Sequence, residues 1–140
     1  MIKFPKTTGA SLCVALMIAT PALANSFKAQ NRLTVNPISN SVFEVVESRS
    51  LGASGSWCAA ADYATRVLGA SGKADVYLKT PRGPSVTNPG RKGVAYTLDP
   101  NQVGAPLTTS TSVSTKTAGT TFAVGHALAL CSQSLIDIGP

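Results

Sequence analysis

His126 is the only histidine of the 140-residue chain, so a Ser-His-Asp hydrolase system would have to use it. Many serines and the aspartates Asp62, Asp75, Asp99 and Asp137 could supply its partners. The chain has no G-x-S-x-G turn, however, and Gly52–Ser56 has the sequence GASGS. His126 also stands among apolar neighbours such as Phe122 and Leu128, a setting typical of a structural histidine. The sequence therefore predicts no catalytic residue and no enzyme, and a hydrolase built on His126 is kept as an alternative.

Metal ligands and paired carboxylates are also sparse in this sequence. There is no zinc-type spacing of His and Cys, no EF-hand loop and no H-E-x-x-H. Glu44 and Glu47 stand three apart on a predicted strand, so they point to opposite faces and do not form a glycosidase pair. We predict neither a metal nor a cofactor.

The stretch with the best binding chemistry is the turn-rich segment Pro81–Lys92, PRGPSVTNPGRK. Arg82, Arg91 and Lys92 flank its Gly, Pro, Ser and Thr residues, and Lys79 comes just before it. Guanidinium groups combined with backbone N–H groups can hold an anion, and loops on rigid scaffolds often carry function. We predict that these four cations bind an anionic ligand or a partner protein. A solvated hairpin loop is the alternative.

Residues Met1–Ala24 have the pattern of a secretory signal peptide. Two lysines precede a short apolar run, Pro21 ends it, and Ala22-Leu23-Ala24 fits the small-x-small cleavage rule. The run is too short to span a bilayer, and no later run is longer. Cleavage would remove two lysines and no acid, which lowers the formal net charge from +6 to +4. We predict a periplasmic or secreted protein that does not bind nucleic acid.

Signal cleavage also removes Cys13 and leaves Cys58 and Cys131 in a compartment that oxidises thiols. Two cysteines allow one pairing. Because the chain has no C-x-x-C and a single histidine, a structural disulfide is favoured over a redox or metal pair.

The element that must organise the rest is a helix predicted over Ser56–Leu68. Ser56 can cap its first turn, good helix formers follow, and Gly69 can end it in the left-handed conformation. Trp57 falls on the apolar face and is predicted to lie in the core. Tyr63 is nearer the edge, so a role as an exposed binding aromatic stays open. Asp62 and Arg66, in contrast, are predicted on the solvent face as an i,i+4 pair.

The remaining patterns predict strands. Residues 42–47, 73–80 and 93–99 are β-branched or alternate between polar and apolar. The Ser/Thr-rich stretch Thr108–Thr117 predicts an exposed strand, and Thr120–Leu130 a strand to Val124 followed by a short helix. Together they predict an α+β domain over residues 42–131. It would have an antiparallel sheet of four to five strands, one main helix (about 56–68) on one face and a single disulfide. Residues 25–41 are predicted to be extended or partly disordered, and residues 132–140 to be a tail.

Several short motifs support one resemblance: Trp57-Cys58-Ala59-Ala60, Val76-Tyr77, Gly83-Pro84-Ser85-Val86-Thr87, Ala95-Tyr96-Thr97-Leu98-Asp99-Pro100, Val124-Gly125 and Cys131. With these motifs the chain resembles uncharacterised small exported proteins of alphaproteobacteria over about Val42–Cys131. The resemblance implies an exported domain with one disulfide, and it carries over no activity and no catalytic residue.

The function predicted from the sequence is a small secreted or periplasmic binding or interaction module without enzymatic activity. Its partner would be an unknown envelope protein or an anionic ligand. A second alternative, beside the hydrolase, is a structural envelope protein that self-associates through the edge of the Thr-rich strand at Thr108–Thr117.

Overall fold

The structure is a computed structural model that describes residues 26–133 and, before them, Gly9 alone. The other residues of the predicted signal peptide, Cys13 among them, lie outside the described residues, as does the predicted tail from residue 134 onward. Within the described part, no helix is long and apolar enough to cross a membrane.

A seven-stranded sheet forms the centre of the described region. Its strands are β1 (Phe27–Lys28), β2 (Thr34–Pro37), β3 (Val42–Val46), β4 (Asp75–Pro84), β5 (Lys92–Thr97), β6 (Thr108–Thr109) and β7 (Thr120–Ala123). Their order across the sheet is β1-β2-β3-β5-β4-β7-β6. All neighbours pair antiparallel except β6 and β7, which are parallel.

The α+β class is confirmed, but the predicted count of four to five strands is wrong. β1 and β6 have two residues each, too few to show an alternating pattern. β1 and β2 both lie within residues 25–41, for which the sequence predicts an extended or partly disordered segment, so the sheet begins upstream of Val42. The Ser/Thr-rich stretch forms a strand only at Thr108–Thr109.

Two α-helices of the described region accompany the sheet, the predicted main helix and a short one after β7, so a fold with one main helix is not an exact description. Helix α1 spans Gly52–Arg66 and therefore starts four residues before the predicted Ser56. Ser56 is not its cap but a buried residue, whose hydroxyl lies 2.7 Å from the Tyr96 hydroxyl. Gly69 has a φ of +69°, as the sequence predicted for a left-handed residue beyond the helix. Helix α2 (Val124–Ala129) follows directly on β7.

Helix α1 packs on the sheet through its alanines and through Trp57. The Trp57 ring meets the rings of Tyr96 and Phe122 edge to face, with centroids 4.9 and 4.6 Å apart, and its Nε1 donates to the Ser114 carbonyl. Tyr63 is also buried, against Phe43 among others, so the open role of an exposed binding aromatic does not apply to it.

Asp62 is buried, contrary to its prediction on the solvent face. The turn between β1 and β2 covers it, and its carboxylate accepts from the Gln30 backbone N–H at 2.8 Å as well as from the Arg66 guanidinium. The Arg66 guanidinium in turn lies 4.7 Å from the centre of the Phe27 ring. A pattern within one helix does not reveal that a distant hairpin covers its polar face.

The predicted disulfide is confirmed. Cys58 on α1 is joined to Cys131, just beyond α2, and both cysteines are buried. The bridge therefore ties the main helix to the C-terminal end of the described chain.

Candidate functional site

The segment predicted to bind anions is shorter than the sequence suggested, because β4 continues through Pro84 and β5 begins at Lys92. The connection is closed by two backbone hydrogen bonds, from Ser85 N–H to the Arg91 carbonyl at 2.9 Å and from Arg91 N–H to the Asn88 carbonyl at 3.2 Å. We call residues 85–92 the basic loop. It joins the ends of two paired strands, so its base is fixed by the sheet.

A carboxylate from inside the protein holds this loop. Glu44 on β3 is only 3% exposed, and its side chain accepts four hydrogen bonds from the basic loop. The hydroxyls of Ser85 and Thr87 each donate at 2.5 Å, and the backbone N–H groups of Val86 and Thr87 donate at 2.9 and 3.1 Å. The loop thus binds an anion, and that anion is part of the same chain.

The same contacts determine the ionisation of Glu44. Burial by itself would raise its pKa, but the hydrogen bonds from Ser85, Thr87 and Val86 stabilise the charged form more strongly. The pKa of Glu44 therefore lies below the ordinary value of 4.5, and the side chain is a carboxylate at neutral pH.

Two neighbours complete the setting of the Glu44 carboxylate. The Asn36 side-chain amide donates to the Thr87 hydroxyl at 3.0 Å, which joins β2 to the network. Gly93 lies against the carboxylate, and a Cβ at that position would come within 2.7 Å of it. A side chain at residue 93 would displace Glu44, so glycine is required there by close approach.

The four cations predicted to form one site do not act together, because two of them are bonded to different residues elsewhere. The Lys79 ammonium donates to the Gln102 carbonyl, and Arg82 forms an ion pair with Glu47 at 2.8 Å. Arg91 and Lys92 are exposed, and neither side chain has a hydrogen bond or an ion pair to another residue of the described region. Of the four cations, these two are the ones available to a partner.

The same loop carries an exposed apolar side chain that was not among the predicted binding residues. Val86 is 71% exposed, more than any other large apolar residue that the structure describes. Its own backbone N–H is one of the groups bound by Glu44. An apolar side chain is therefore presented outward by a backbone that hydrogen bonds to an internal carboxylate fix in place.

Two open clefts lie elsewhere on the surface. One, of about 290 Å³, contains Arg82 and is lined by Glu47, Ser50, Gly52, Ala53, Arg82 and Thr115. The other, of about 200 Å³, is lined by Asp75, Tyr77, Leu107, Thr108, Thr109 and Thr121. The guanidinium in the first cleft is already bonded to both oxygens of Glu47.

His126 lies on the exposed side of α2. Its ring stacks on Phe122, with centroids 5.1 Å apart and planes 4° from parallel. Among residues 26–133, no serine or aspartate side chain forms a hydrogen bond with His126. The described chain also contains no group of three or more His, Cys, Asp or Glu residues that could hold a metal ion.

No protein-family model, curated protein or solved structure matches the chain. The function is therefore argued from the geometry of the basic loop.

Proposed function

We propose that this protein is an exported interaction module without enzymatic activity, and that its basic loop contacts a negatively charged partner protein. The observation that carries this proposal is the anchoring of the loop by Glu44, which leaves Val86, Arg91 and Lys92 exposed. We further propose that the chain belongs with the small exported proteins of alphaproteobacteria that its motifs resemble. The signal-peptide pattern and the disulfide support the export.

The first step of the argument concerns order. Association costs free energy for each loop and side chain that it immobilises, so a loop that is already ordered binds more tightly for the same contacts. Here the ordering is done by four hydrogen bonds to one buried carboxylate. Those bonds use the backbone N–H groups of Val86 and Thr87, so we assign the contact with a partner to the exposed side chains of the loop.

The second step concerns what those side chains can recognise. Val86 offers apolar area, whereas Arg91 and Lys92 offer two positive charges within six residues of it. A small apolar contact with a charged rim is typical of interfaces between proteins, in which charge complementarity increases the association rate and the specificity. The complementary surface is a shallow apolar depression bordered by Asp or Glu.

The geometry gives less support to the two alternatives. A hydrolase needs a partner for His126, and its contact within the described residues is a stacked Phe122 ring. Self-association through the Thr-rich edge needs an exposed strand of some length, but β6 has two residues. Very short edge strands are one of the ways in which proteins prevent edge-to-edge pairing.

The proposal is tested by capture from envelope extract with three baits of the processed, oxidised protein. The native bait is compared with Arg91→Glu/Lys92→Glu and with Lys28→Glu/Lys116→Glu. The last pair is the matched control, because it makes the same change in net charge at exposed lysines outside the loop. We expect a partner that the native and control baits capture and the loop variant loses. Equal capture by all three baits would contradict a contact through the loop.

A further inference from the structure

The smaller of the two clefts lies at the edge of the sheet, far along the strand order from β1. Three strands and one loop residue line it. They are Asp75 and Tyr77 on β4, Thr121 on β7, Thr108 and Thr109 on the edge strand β6, and Leu107 just before β6. None of them belongs to the basic loop. The cleft therefore combines one carboxylate, one aromatic ring, one exposed aliphatic side chain and several hydroxyls.

The charges of this cleft differ from those of the rest of the molecule. Three acids of the described region are bound internally, by the basic loop or by arginine: Glu44, Glu47 and Asp62. Asp75 is exposed and has neither an ion pair nor a side-chain hydrogen bond among residues 26–133. Among the five acids that the structure describes, Asp75 is therefore the one whose carboxylate has no internal partner, since Asp99 accepts from the Asn101 backbone N–H.

The ionisation of Tyr77 is affected by the negative charges near the cleft. Burial raises the pKa of its phenol, and the charges of Asp75 and Asp99 raise it further. Both carboxylates therefore lie close enough to the half-buried ring to disfavour a further negative charge. A positive charge in the cleft would be favoured by the same carboxylates and by the π electrons of the ring.

From this combination we propose that the cleft binds a single alkylammonium or alkylguanidinium group. Asp75 pairs with the cation, Tyr77 supplies an aromatic surface, and Leu107, which is 48% exposed, contacts the aliphatic chain. The exposed hydroxyls of Thr108 and Thr109 accept hydrogen bonds from the N–H groups of the ligand. The volume of about 200 Å³ is below the range of about 300–1,000 Å³ that is usual for whole small-molecule sites, so it suits one charged group on a short chain.

Such a group can come from a free amine or from a lysine or arginine side chain of a polypeptide. The test uses n-butylammonium for the first source and the blocked tripeptide acetyl-Gly-Lys-Gly-amide for the second, with n-butanol as the uncharged control. Binding to the processed, oxidised protein is followed by chemical-shift changes of the Thr109 and Thr121 amides. Saturable binding of either cation, absent with n-butanol, is expected, and the tighter of the two identifies the source.

Three variants make the assignment specific. Asp75→Asn should weaken binding at least about tenfold, the factor that corresponds to about 1.4 kcal/mol. Glu47→Gln, which also removes one negative charge but lines the other cleft, should weaken it less than about threefold. Tyr77→Leu removes the aromatic ring and should weaken binding of the cation. A nearly unchanged thermal midpoint would show that the variant is still folded.

Three results would overturn the site: no saturable shift up to high millimolar cation, equal shifts with n-butanol, or equal affinity of the native and Asp75→Asn proteins. Because the basic loop is not involved, this proposal and the interaction proposed for the loop can fail independently.

Discussion

Replacing Glu44 by Gln tests whether the internal carboxylate holds the basic loop. The substitution keeps the size of the side chain and removes its charge. A glutamine can turn its carbonyl oxygen toward the hydroxyls of Ser85 and Thr87, but its amide then meets the N–H of Val86, which loses its acceptor. The variant therefore weakens three hydrogen bonds and leaves one donor unsatisfied.

The magnitude follows from those contacts. A hydrogen bond to a charged group contributes about 1.5–3 kcal/mol and a neutral one about 0.5–1.5 kcal/mol, while a buried unsatisfied N–H costs about 1–3 kcal/mol. Part of this loss is offset because a neutral amide is less costly to bury than a carboxylate. We expect Glu44→Gln to lower the free energy of unfolding at pH 7 by about 3 kcal/mol. Urea denaturation of the oxidised protein measures it.

The dependence on pH gives an independent check. Because the pKa of Glu44 lies below 4.5 in the folded protein, its carboxylate stabilises the fold above the unfolded-state pKa. That contribution is lost as the pH falls through the lower folded-state pKa. The difference between the native protein and Glu44→Gln should therefore be constant near neutral pH and shrink in acid, as the native side chain becomes neutral.

Glu47→Gln is the matched control for this experiment. Its ion pair with Arg82 involves an arginine side chain that is 52% exposed, so its loss should cost at most about 1 kcal/mol. In Glu44→Gln, but not in Glu47→Gln, the amides of Val86 and Thr87 should also exchange hydrogen faster. A destabilisation below about 1 kcal/mol at pH 7, or unchanged exchange of the two loop amides, would refute the anchoring role of Glu44.

Two further predictions concern the core. Ser56→Ala and Tyr96→Phe should each lower the free energy of unfolding by about 1–3 kcal/mol, because each leaves one buried hydroxyl without its partner. The double variant should lose clearly less than the sum of the two single losses. Additive losses in urea denaturation would show that the two hydroxyls do not interact. Replacing Cys58 and Cys131 by Ser should lower the free energy of unfolding by about 4 kcal/mol, the chain-entropy value for a bridge across 73 residues. An unchanged denaturation midpoint would contradict a structural role for the bridge.

Local patterns in the sequence were sufficient for several elements. The small apolar face around Trp57 predicted a helix packed in the core, and Gly69 predicted its end. A short helix was predicted after Val124, and α2 begins at Val124 itself. The pairing of Cys58 with Cys131 followed from counting, since only two cysteines remain after the predicted cleavage. Each of these inferences depends on residues close in the chain or on a unique pairing.

The remainder depends on contacts between distant segments. The helix pattern predicts Asp62 on the surface, but the β1–β2 turn, about 30 residues earlier in the chain, covers it. The sequence predicts an anion site at the basic loop because the hydrogen-bond donors lie together in the chain. The carboxylate that accepts from them, Glu44, lies about 40 residues earlier, so the pattern does not show that the site is already filled. One signal was present: a glutamate in the middle of the apolar strand VFEVV requires a buried partner. Propensity and period do not say which segment supplies that partner.

The most direct measurement on the proposed interaction places a photo-crosslinking amino acid at Val86, in cells that make the protein natively. Val67, which is 49% exposed at the end of α1, is the control position for an exposed valine outside the basic loop. We predict a discrete adduct of higher mass from position 86 and none of that mass from position 67, and loss of the adduct when Arg91 and Lys92 are changed to Glu. No adduct at position 86, or the same adduct from both positions, would contradict an interaction through the basic loop.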